Sequence, residues 1–221
     1  MLRLSEKRWH WSCLWAVLSA VIFLAAARLP FLQTIELKTL DFRFRAFPSP
    51  QRARTDIVVI VIDEESVQKL QSILGRWPWP RDAYALMLDY LRAGGVRTVA
   101  FDILFAEPHL EKPEADRAFA EAIAKAGNVY LAAAFHRQSV GGGTGAPPGG
   151  WLEPQAVRVP QRPLQCEGIT LPLAELLAAA KGIGAISIDP DEDGILRRVP
   201  TTVVYQGRAY PSLSLAVALS E

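Results

Sequence analysis

Two aspartates, a glutamate and an arginine stand where a folded chain could use them to bind a ligand. Asp63 and Glu64 directly follow a run of β-branched residues, and Asp102 lies near the end of a second apolar run. The carboxyl ends of parallel strands share one edge of a sheet, and open α/β sheets hold their ligands at that edge. Together with Arg81, these carboxylates could bind a polar solute or a cation. The alternative is that they cap the following turns or pair with a nearby arginine.

Two tryptophans lie next to this set. Trp77 and Trp79 flank Pro78, and Pro80 follows, so the segment cannot be the interior of a helix. Indole faces suit sugars, cations or the apolar surface of a partner. The structural interpretation, which we favour, is that the prolines fix the turn and the rings cover the edge of a sheet. The candidate ligand-binding residues from the sequence are Asp63, Glu64, Trp77, Trp79, Arg81 and Asp102.

An acidic stretch near the C-terminus is similar to the start of a calcium-binding loop. Residues 189–194 read D-P-D-E-D-G, but the twelfth position of such a loop would be Pro200 instead of a bidentate glutamate. An acidic turn with Arg197 and Arg198 as partners is the better interpretation.

Other chemistries find little support in the sequence. The glycine-rich stretch 141–145 has no helix directly after it and does not fit a phosphate-binding loop. The three histidines lack the spacing of metal ligands, and there is no G-x-S-x-G nucleophile motif. We therefore expect no cofactor, no metal and no catalytic residue. A hydrolase that uses Asp63 and Asp102 is kept only as an alternative.

Length, charge and cysteine content exclude several classes of protein. The chain has 221 residues, with 24 Lys or Arg, 23 Asp or Glu and a net charge of +1. Such a balance gives no electrostatic reason to expect a nucleic acid as partner. Cys13 and Cys166 are too few for a disulfide scaffold, and we expect Cys166 to be a buried or inert thiol. A chain that is 50% hydrophobic can form one domain, or at most two small ones.

The first 27 residues have the pattern of a membrane anchor. Residues 1–10 are basic, and residues 11–27 carry no charge. A helix of that length spans about 26 Å, close to the roughly 30 Å of the hydrocarbon core of a bilayer. We therefore predict a cytoplasmic N-terminus, a transmembrane helix over 11–27 and an extracytoplasmic remainder. A cleaved signal peptide and a buried soluble helix are the alternatives.

From residue 28 onward, a connector gives way to alternating strands and helices. Apolar residues at helical spacing predict an amphipathic helix over 34–45, inside a connector of residues 28–55. The domain proper, residues 56–221, opens with a β-branched run that predicts a strand buried on both faces. The alternation favours an α/β fold with a largely parallel βαβαβ sheet. The predicted elements are strand 56–63, helix 82–93, strand 97–105, helix 116–126 and strand 128–135.

The second half of the domain has a less regular pattern. Residues 139–150 are rich in glycine and proline and predict a mobile loop, and residues 151–168 read as irregular. Two later apolar runs predict a C-terminal β-hairpin across the acidic turn. The remaining predicted elements are a short helix over 172–180, strands over 184–189 and 194–205, and a last helix over 211–220.

Short motifs occur one after another over nearly the whole chain. They are L-D-F-R-F-R at 40–45, V-I-D at 61–63, W-P-W-P-R at 77–81, A-F-D-I at 100–103, Asp116, D-P-D-E-D-G-I-L-R-R-V-P at 189–200 and Y-P-S-L at 210–213. Each motif is weak evidence alone, but the ordered set is specific. It resembles the second type of CHASE domain, the cyclases/histidine kinases-associated sensory extracellular domain.

The resemblance implies a ligand-sensing input module of a bacterial membrane receptor, in the inner membrane. In such proteins a transmembrane helix precedes the domain and further helices lead to a cytoplasmic cyclase or kinase, which here would have to lie beyond residue 221. The implied partners are the lipid membrane, an unknown small molecule and a second copy in a homodimer. The resemblance transfers no binding residues and implies no catalysis by the module itself. A non-sensing structural or scaffolding envelope protein is the alternative.

Overall fold

Helices and strands alternate along the part of the chain that the structure, a computed structural model, describes: residues 3–26, 30–47, 56–138, 163–191 and 193–219. The helices are α1 (Arg3–Ala26), α2 (Pro30–Ala46), α3 (Glu64–Leu74), α4 (Arg81–Ala93), α5 (Pro113–Ala126), α6 (Ala174–Ala179) and α7 (Leu213–Ala218). The strands are β1 (Val99–Phe101), β2 (Val129–His136), β3 (Leu164–Cys166), β4 (Gly168–Thr170), β5 (Gly182–Ala185), β6 (Thr202–Tyr205) and β7 (Arg208–Pro211). The chain divides into two compact units, Met1–Val59 with Glu192–Ile195 and Ile60–Asp191 with Leu196–Glu221.

The first unit contains α1 and α2. The predicted span falls on α1 up to its last residue, Ala26. Of the helices in the described ranges, none is both long and apolar enough for a bilayer crossing, and the predicted transmembrane helix over 11–27 is not supported. α2 contains the predicted helix 34–45 and extends beyond both of its ends. Arg43 and Arg45 lie in its last turn, where a positive charge interacts favourably with the helix dipole.

β2 is the centre of the larger sheet in the second unit. It runs parallel to β1 and to β5, and Leu131 is the register partner of both Phe101 and Ile183. Its last residues pair with β4 in the antiparallel direction, with Phe135 opposite Ile169. Nearly every position of β2 is buried. Its continuous apolar sequence is typical of a strand with both faces of its sheet covered. The sheet is therefore mixed, with a parallel part and an antiparallel part.

A smaller sheet contains β3, β6 and β7. β6 runs parallel to β3 and antiparallel to β7. In the turn between β6 and β7, Gln206 has φ +50° and Gly207 has φ +74°. Two consecutive positive φ angles give the tight turn whose twist matches a hairpin. The C-terminal hairpin therefore lies at residues 202–211. The predicted pairing of 184–189 with 194–205 is wrong, because β5 pairs with β2 instead.

An aromatic cluster forms the core beside α4 and α5. Its four rings have centroids 5.1 to 6.3 Å apart, mostly in edge-to-face arrangements. Such contacts contribute about 0.5–1.5 kcal/mol per pair beyond the burial of their area. This cluster fixes how the two helices sit on the sheet. Its members are Tyr84, Phe101, Phe105 and Phe119.

Three predicted elements agree closely with the structure. α4 differs from the predicted helix 82–93 by one residue, and β2 differs from the predicted strand 128–135 by one residue at each end. α5 includes the predicted helix 116–126 but begins at Pro113, because proline suits the first turn of a helix. The predicted strand 97–105 forms only over the three residues of β1.

The predicted first strand, 56–63, is wrong. Residues 57–62 have no regular secondary structure, and residues 57–61 are 55 to 81% exposed. Ile62, by contrast, packs against the core. β-branched composition favours a pleated, half-buried surface, but it supplies no partner for the backbone groups of a strand. The residues that follow form α3, a helix that the sequence-based prediction lacked.

Part of the second half lies outside the described residues. This applies to the predicted loop 139–150 and to most of the stretch 151–168. The end of that stretch is β3 and the start of β4, so it is not irregular there. Both strands form by pairing with strands that are distant in the sequence, and local composition does not predict such pairing. α6 and α7 are shorter than the predicted helices 172–180 and 211–220.

Candidate functional site

Asp63 caps the N-terminus of α3. Its Oδ1 accepts a hydrogen bond from the Ser66 backbone N–H at 2.8 Å and another from the Ser66 hydroxyl at 2.6 Å. Both bonds hold the pKa of Asp63 below its usual value, and the bond from the Ser66 hydroxyl has the larger effect. The carboxylate is therefore used to start the helix. Glu64 is exposed, and its Oε1 accepts from the side-chain amide of Gln68 at 3.1 Å.

The turn before α4 places two indole rings in different surroundings. Trp79 is buried in the core, whereas Trp77 is 43% exposed. Their ring centroids are 5.3 Å apart, with the planes at 75°. This edge-to-face contact is a favoured geometry for aromatic rings. Trp77 thus keeps one surface towards solvent while it packs against its buried neighbour.

Arg81, the first residue of α4, is buried in a polar network. Its Nη2 donates to the Glu107 carbonyl at 3.2 Å, and its Nε lies 3.6 Å from Asp116 Oδ1. The other oxygen, Asp116 Oδ2, accepts from the His109 backbone N–H at 2.8 Å. The guanidinium carbon is 4.8 Å from the centroid of the Phe105 ring. The network ties the first turns of α4 and α5 to the segment between β1 and α5.

A cavity of about 260 Å³ lies next to α3 and α4 in the second unit. Three stretches of the chain line it: the residues just before α3, one face of α3, and Trp79 with the first two turns of α4. Almost all of the lining side chains are apolar. They are Ile60, Val61, Ile62, Ser66, Leu70, Leu74, Trp79, Ala83, Tyr84 and Met87.

Tyr84 belongs both to the cavity wall and to the aromatic cluster. Its burial raises its pKa to about 12, an effect that the nearby positive charge of Arg81 opposes. Within the described ranges, neither its hydroxyl nor the indole N–H of Trp79 has a hydrogen-bond partner, and both groups are shielded from solvent. The rings of these two residues, and not their polar atoms, therefore form the accessible wall.

The structure brings part of the sequence-predicted set to this cavity. Trp79 lines it directly, and Asp63 holds Ser66, which also lines it. Arg81 is engaged in the buried network instead. Asp102 is exposed just after β1. Of the six candidate residues, Trp79 is the one among the lining side chains that the structure describes, and Trp77 contacts its ring. Glu64 and Asp102 are exposed and are not part of that lining.

Most cavity residues were missing from the sequence-based prediction. The signals for α3 were present: Asp63 is a good cap, Gly75 is a good stop, and apolar residues recur at helical spacing between them. The preceding β-branched run predicts a strand instead. Asp116 belongs to one of the ordered motifs, but no local pattern in the sequence indicates that it pairs with Arg81.

The acidic turn is held by arginines. Asp191 is paired with Arg197 at 3.1 Å and with Arg198 at 3.7 Å, and Asp189 is paired with Arg137. These contacts support the interpretation of an acidic turn with arginine partners. In the described stretches, no group of three or more His, Cys, Asp or Glu side chains is arranged so that it could hold a metal ion.

Fold and cavity together describe an α/β domain with an apolar cavity and a buried ion pair. A family model, the CHASE2 domain, matches residues 16–221. The chain belongs to the CHASE2 domain family, and the resemblance in its motifs is confirmed. This is a family of extracellular sensory domains, which are not themselves catalytic. No curated protein and no solved structure matches the chain.

Proposed function

We propose that the chain is the sensory input module of a bacterial membrane receptor. It detects a small molecule or an envelope condition outside the cytoplasm and passes the change through α2 and the N-terminal helix to a cytoplasmic output. The observation that carries this proposal is the match to a sensory family over residues 16–221. In this proposal the module is anchored in a lipid membrane and acts as a homodimer.

The position of the cavity supports a sensory role. Ile60, Val61 and Ile62 line it, and they are the residues by which the chain enters the second unit. A molecule bound in the cavity therefore touches the segment through which a change must travel towards α2. A ligand can drive such a change only through its difference in affinity for two states. To move the populations from 1:99 to 99:1, that difference must be about 5.5 kcal/mol.

A spin label on α2 tests whether the chain responds to a ligand. Phe42 is 68% exposed on α2, so Phe42→Cys provides a labelling site in a Cys13→Ser background. Cys166 is buried, and burial raises the pKa of its thiol, so it stays protonated and reacts slowly. The electron paramagnetic resonance spectrum of the labelled full chain is recorded with and without fractions of a small-molecule envelope extract.

A sensor predicts that at least one fraction changes the spectrum of the label on α2, and that dilution reverses the change. A second label at Leu110→Cys serves as the control, because general unfolding would change its spectrum as well. Leu110 is 89% exposed in the segment between β1 and α5. A spectrum on α2 that no fraction changes would contradict the proposal, and stable capture of an envelope assembly in that case would favour the scaffolding alternative.

A further inference from the structure

We infer that the cavity beside α3 and α4 is the ligand site of the module and that it takes a compact, uncharged, largely apolar molecule with one hydrogen-bond donor. This inference rests on the proposed sensory function and names the class of ligand. The molecule is of the size and polarity of indole or a substituted phenol. Four observations carry the inference: the volume of the cavity, its lining, the state of Ser66 and the exposure of one wall.

The volume sets the size of the ligand. The cavity holds about 260 Å³. An engineered apolar cavity of about 150 Å³ binds benzene, and sites for drug-sized ligands begin at roughly 300 Å³. The cavity therefore accommodates one fused or substituted ring of about ten non-hydrogen atoms. It is too small for a peptide, a nucleotide or an oligosaccharide to enter as a whole.

The lining sets the polarity of the ligand. None of the lining side chains that the structure describes carries a formal charge. A charged group transferred into such surroundings loses its hydration without gaining a partner, which is costly. The polar atoms of Trp79 and Tyr84 are shielded from solvent, so their rings are what a ligand contacts. The site therefore favours a neutral molecule and discriminates against its carboxylate analogue, which the Asp63 carboxylate behind Ser66 would also repel.

Ser66 sets the one polar contact. Its hydroxyl proton is donated to Asp63 Oδ1 at 2.6 Å. A hydroxyl whose proton is committed can only accept a further hydrogen bond through its oxygen. A ligand with an N–H or O–H group can therefore donate a hydrogen bond to the Ser66 oxygen, whereas a ligand with only acceptors cannot. Because Asp63 fixes this arrangement, a sequence-predicted candidate acts here by orienting the serine.

The wall formed by Ile60 and Val61 links binding to a change of conformation. The two residues are 55% and 67% exposed, and they have no regular secondary structure. A ligand in the cavity adds apolar contacts to them that the empty domain lacks. Burying apolar surface favours the state in which this segment lies against α3 and α4. The ligand thus binds one arrangement of the segment more tightly than others, which is what a sensor requires.

Fluorine NMR of the full chain tests the site with defined probes. The probe is 5-fluoroindole, and the charged comparison is 4-fluorobenzoate. Leu70→Trp places a large ring in the cavity, and Leu86→Trp places the same ring on the outer face of α4, where Leu86 is 75% exposed. Ala83→Leu is a milder second way to fill the site. Circular dichroism and thermal melting of each variant check that it is folded.

The site predicts saturable binding of 5-fluoroindole, with a rise in Tm of about 5 °C at a hundred times the Kd. Leu70→Trp and Ala83→Leu weaken binding by roughly tenfold or more because they occupy the space of the ligand. Leu86→Trp changes it by less than about twofold, and the benzoate does not compete.

Several results would overturn the assignment. They are the absence of saturable binding, equal binding of the benzoate, unchanged binding in folded cavity-filled variants, and self-association of the chain that expels the probe. The label on α2 separates the two proposals. If an envelope fraction still changes its spectrum in Leu70→Trp, the sensory function stands and the cavity is not its site. If 5-fluoroindole binds as predicted and no fraction affects α2, the cavity stands and the sensory function fails.

Discussion

Removal of Arg81 from its network is expected to destabilise the second unit strongly. Arg81 and Asp116 are 7% and 2% exposed, and their facing atoms are 3.6 Å apart. Arg81→Met keeps much of the volume but leaves the carboxylate buried without its counter-charge, which costs about 3–5 kcal/mol. The lost bond to the Glu107 carbonyl is part of that cost. We therefore expect a loss of about 4 kcal/mol in the free energy of unfolding.

A double-mutant cycle separates the pair from the packing around it. Asp116→Leu alone leaves the guanidinium unpaired and costs a similar amount, whereas Arg81→Met with Asp116→Leu removes both charges. The double variant should be about 3 kcal/mol more stable than the sum of the two single losses predicts. Urea unfolding followed by far-UV circular dichroism measures each free energy.

A surface ion pair on the same helix provides the control. Arg92 lies 3.5 Å from Asp89, and both side chains are about half exposed. Arg92→Met should leave the urea midpoint nearly unchanged, because solvent screens an exposed pair. If Arg81→Met cost no more than this control, or if the double variant merely added the two single losses, the buried pair would not organise the site as described.

Three further changes test other parts of the structure. Burial raises the pKa of Tyr84 from 10.0 to about 12. The protonated phenol therefore contributes fully to the free energy of unfolding below pH 10, and that contribution, about 2–3 kcal/mol, is lost as the pH rises through 12. Tyr84→Phe should abolish that alkaline loss in pH-dependent urea melts and cost under about 1 kcal/mol at pH 7. Gly184→Ala would place a Cβ 2.2 Å from the Leu213 Cα, so a melting curve should show a loss of about 3 kcal/mol. Asp63→Ala should lower the Tm at neutral pH while Asp63→Asn retains most of it, and the difference between wild type and Asp63→Ala should shrink as acid protonates the carboxylate.

Sequence reasoning succeeded where local patterns decide the structure. α4 and α5 have apolar residues at helical spacing and clear stop signals, so the periodic pattern was enough to place them. β2 is a continuous apolar run buried on both faces, and its composition revealed it. The ordered motifs identified the family because several independent short matches in the right order rarely occur by chance.

The failures lie where distant contacts decide. Residues 56–63 have an ideal strand composition, yet no strand pairs with them in the described ranges. The sequence predicts the hairpin one element too early, because β6 pairs with β7, the strand after it, and not with β5, the strand before it. Of the site residues, Trp79 was found because its motif stands out. Leu70 and Leu74 belong to a cavity that exists only once α3 packs beside α4.

Amide hydrogen exchange of the unlabelled full chain tests the central claim most directly. The exchange is followed by mass spectrometry with and without the envelope fraction that changes the label on α2. A sensory module that binds its ligand in the cavity predicts slower exchange over residues 60–74, together with a changed rate in α2. Uniform exchange with and without the fraction, or protection confined to residues remote from α3 and α4, would contradict the account.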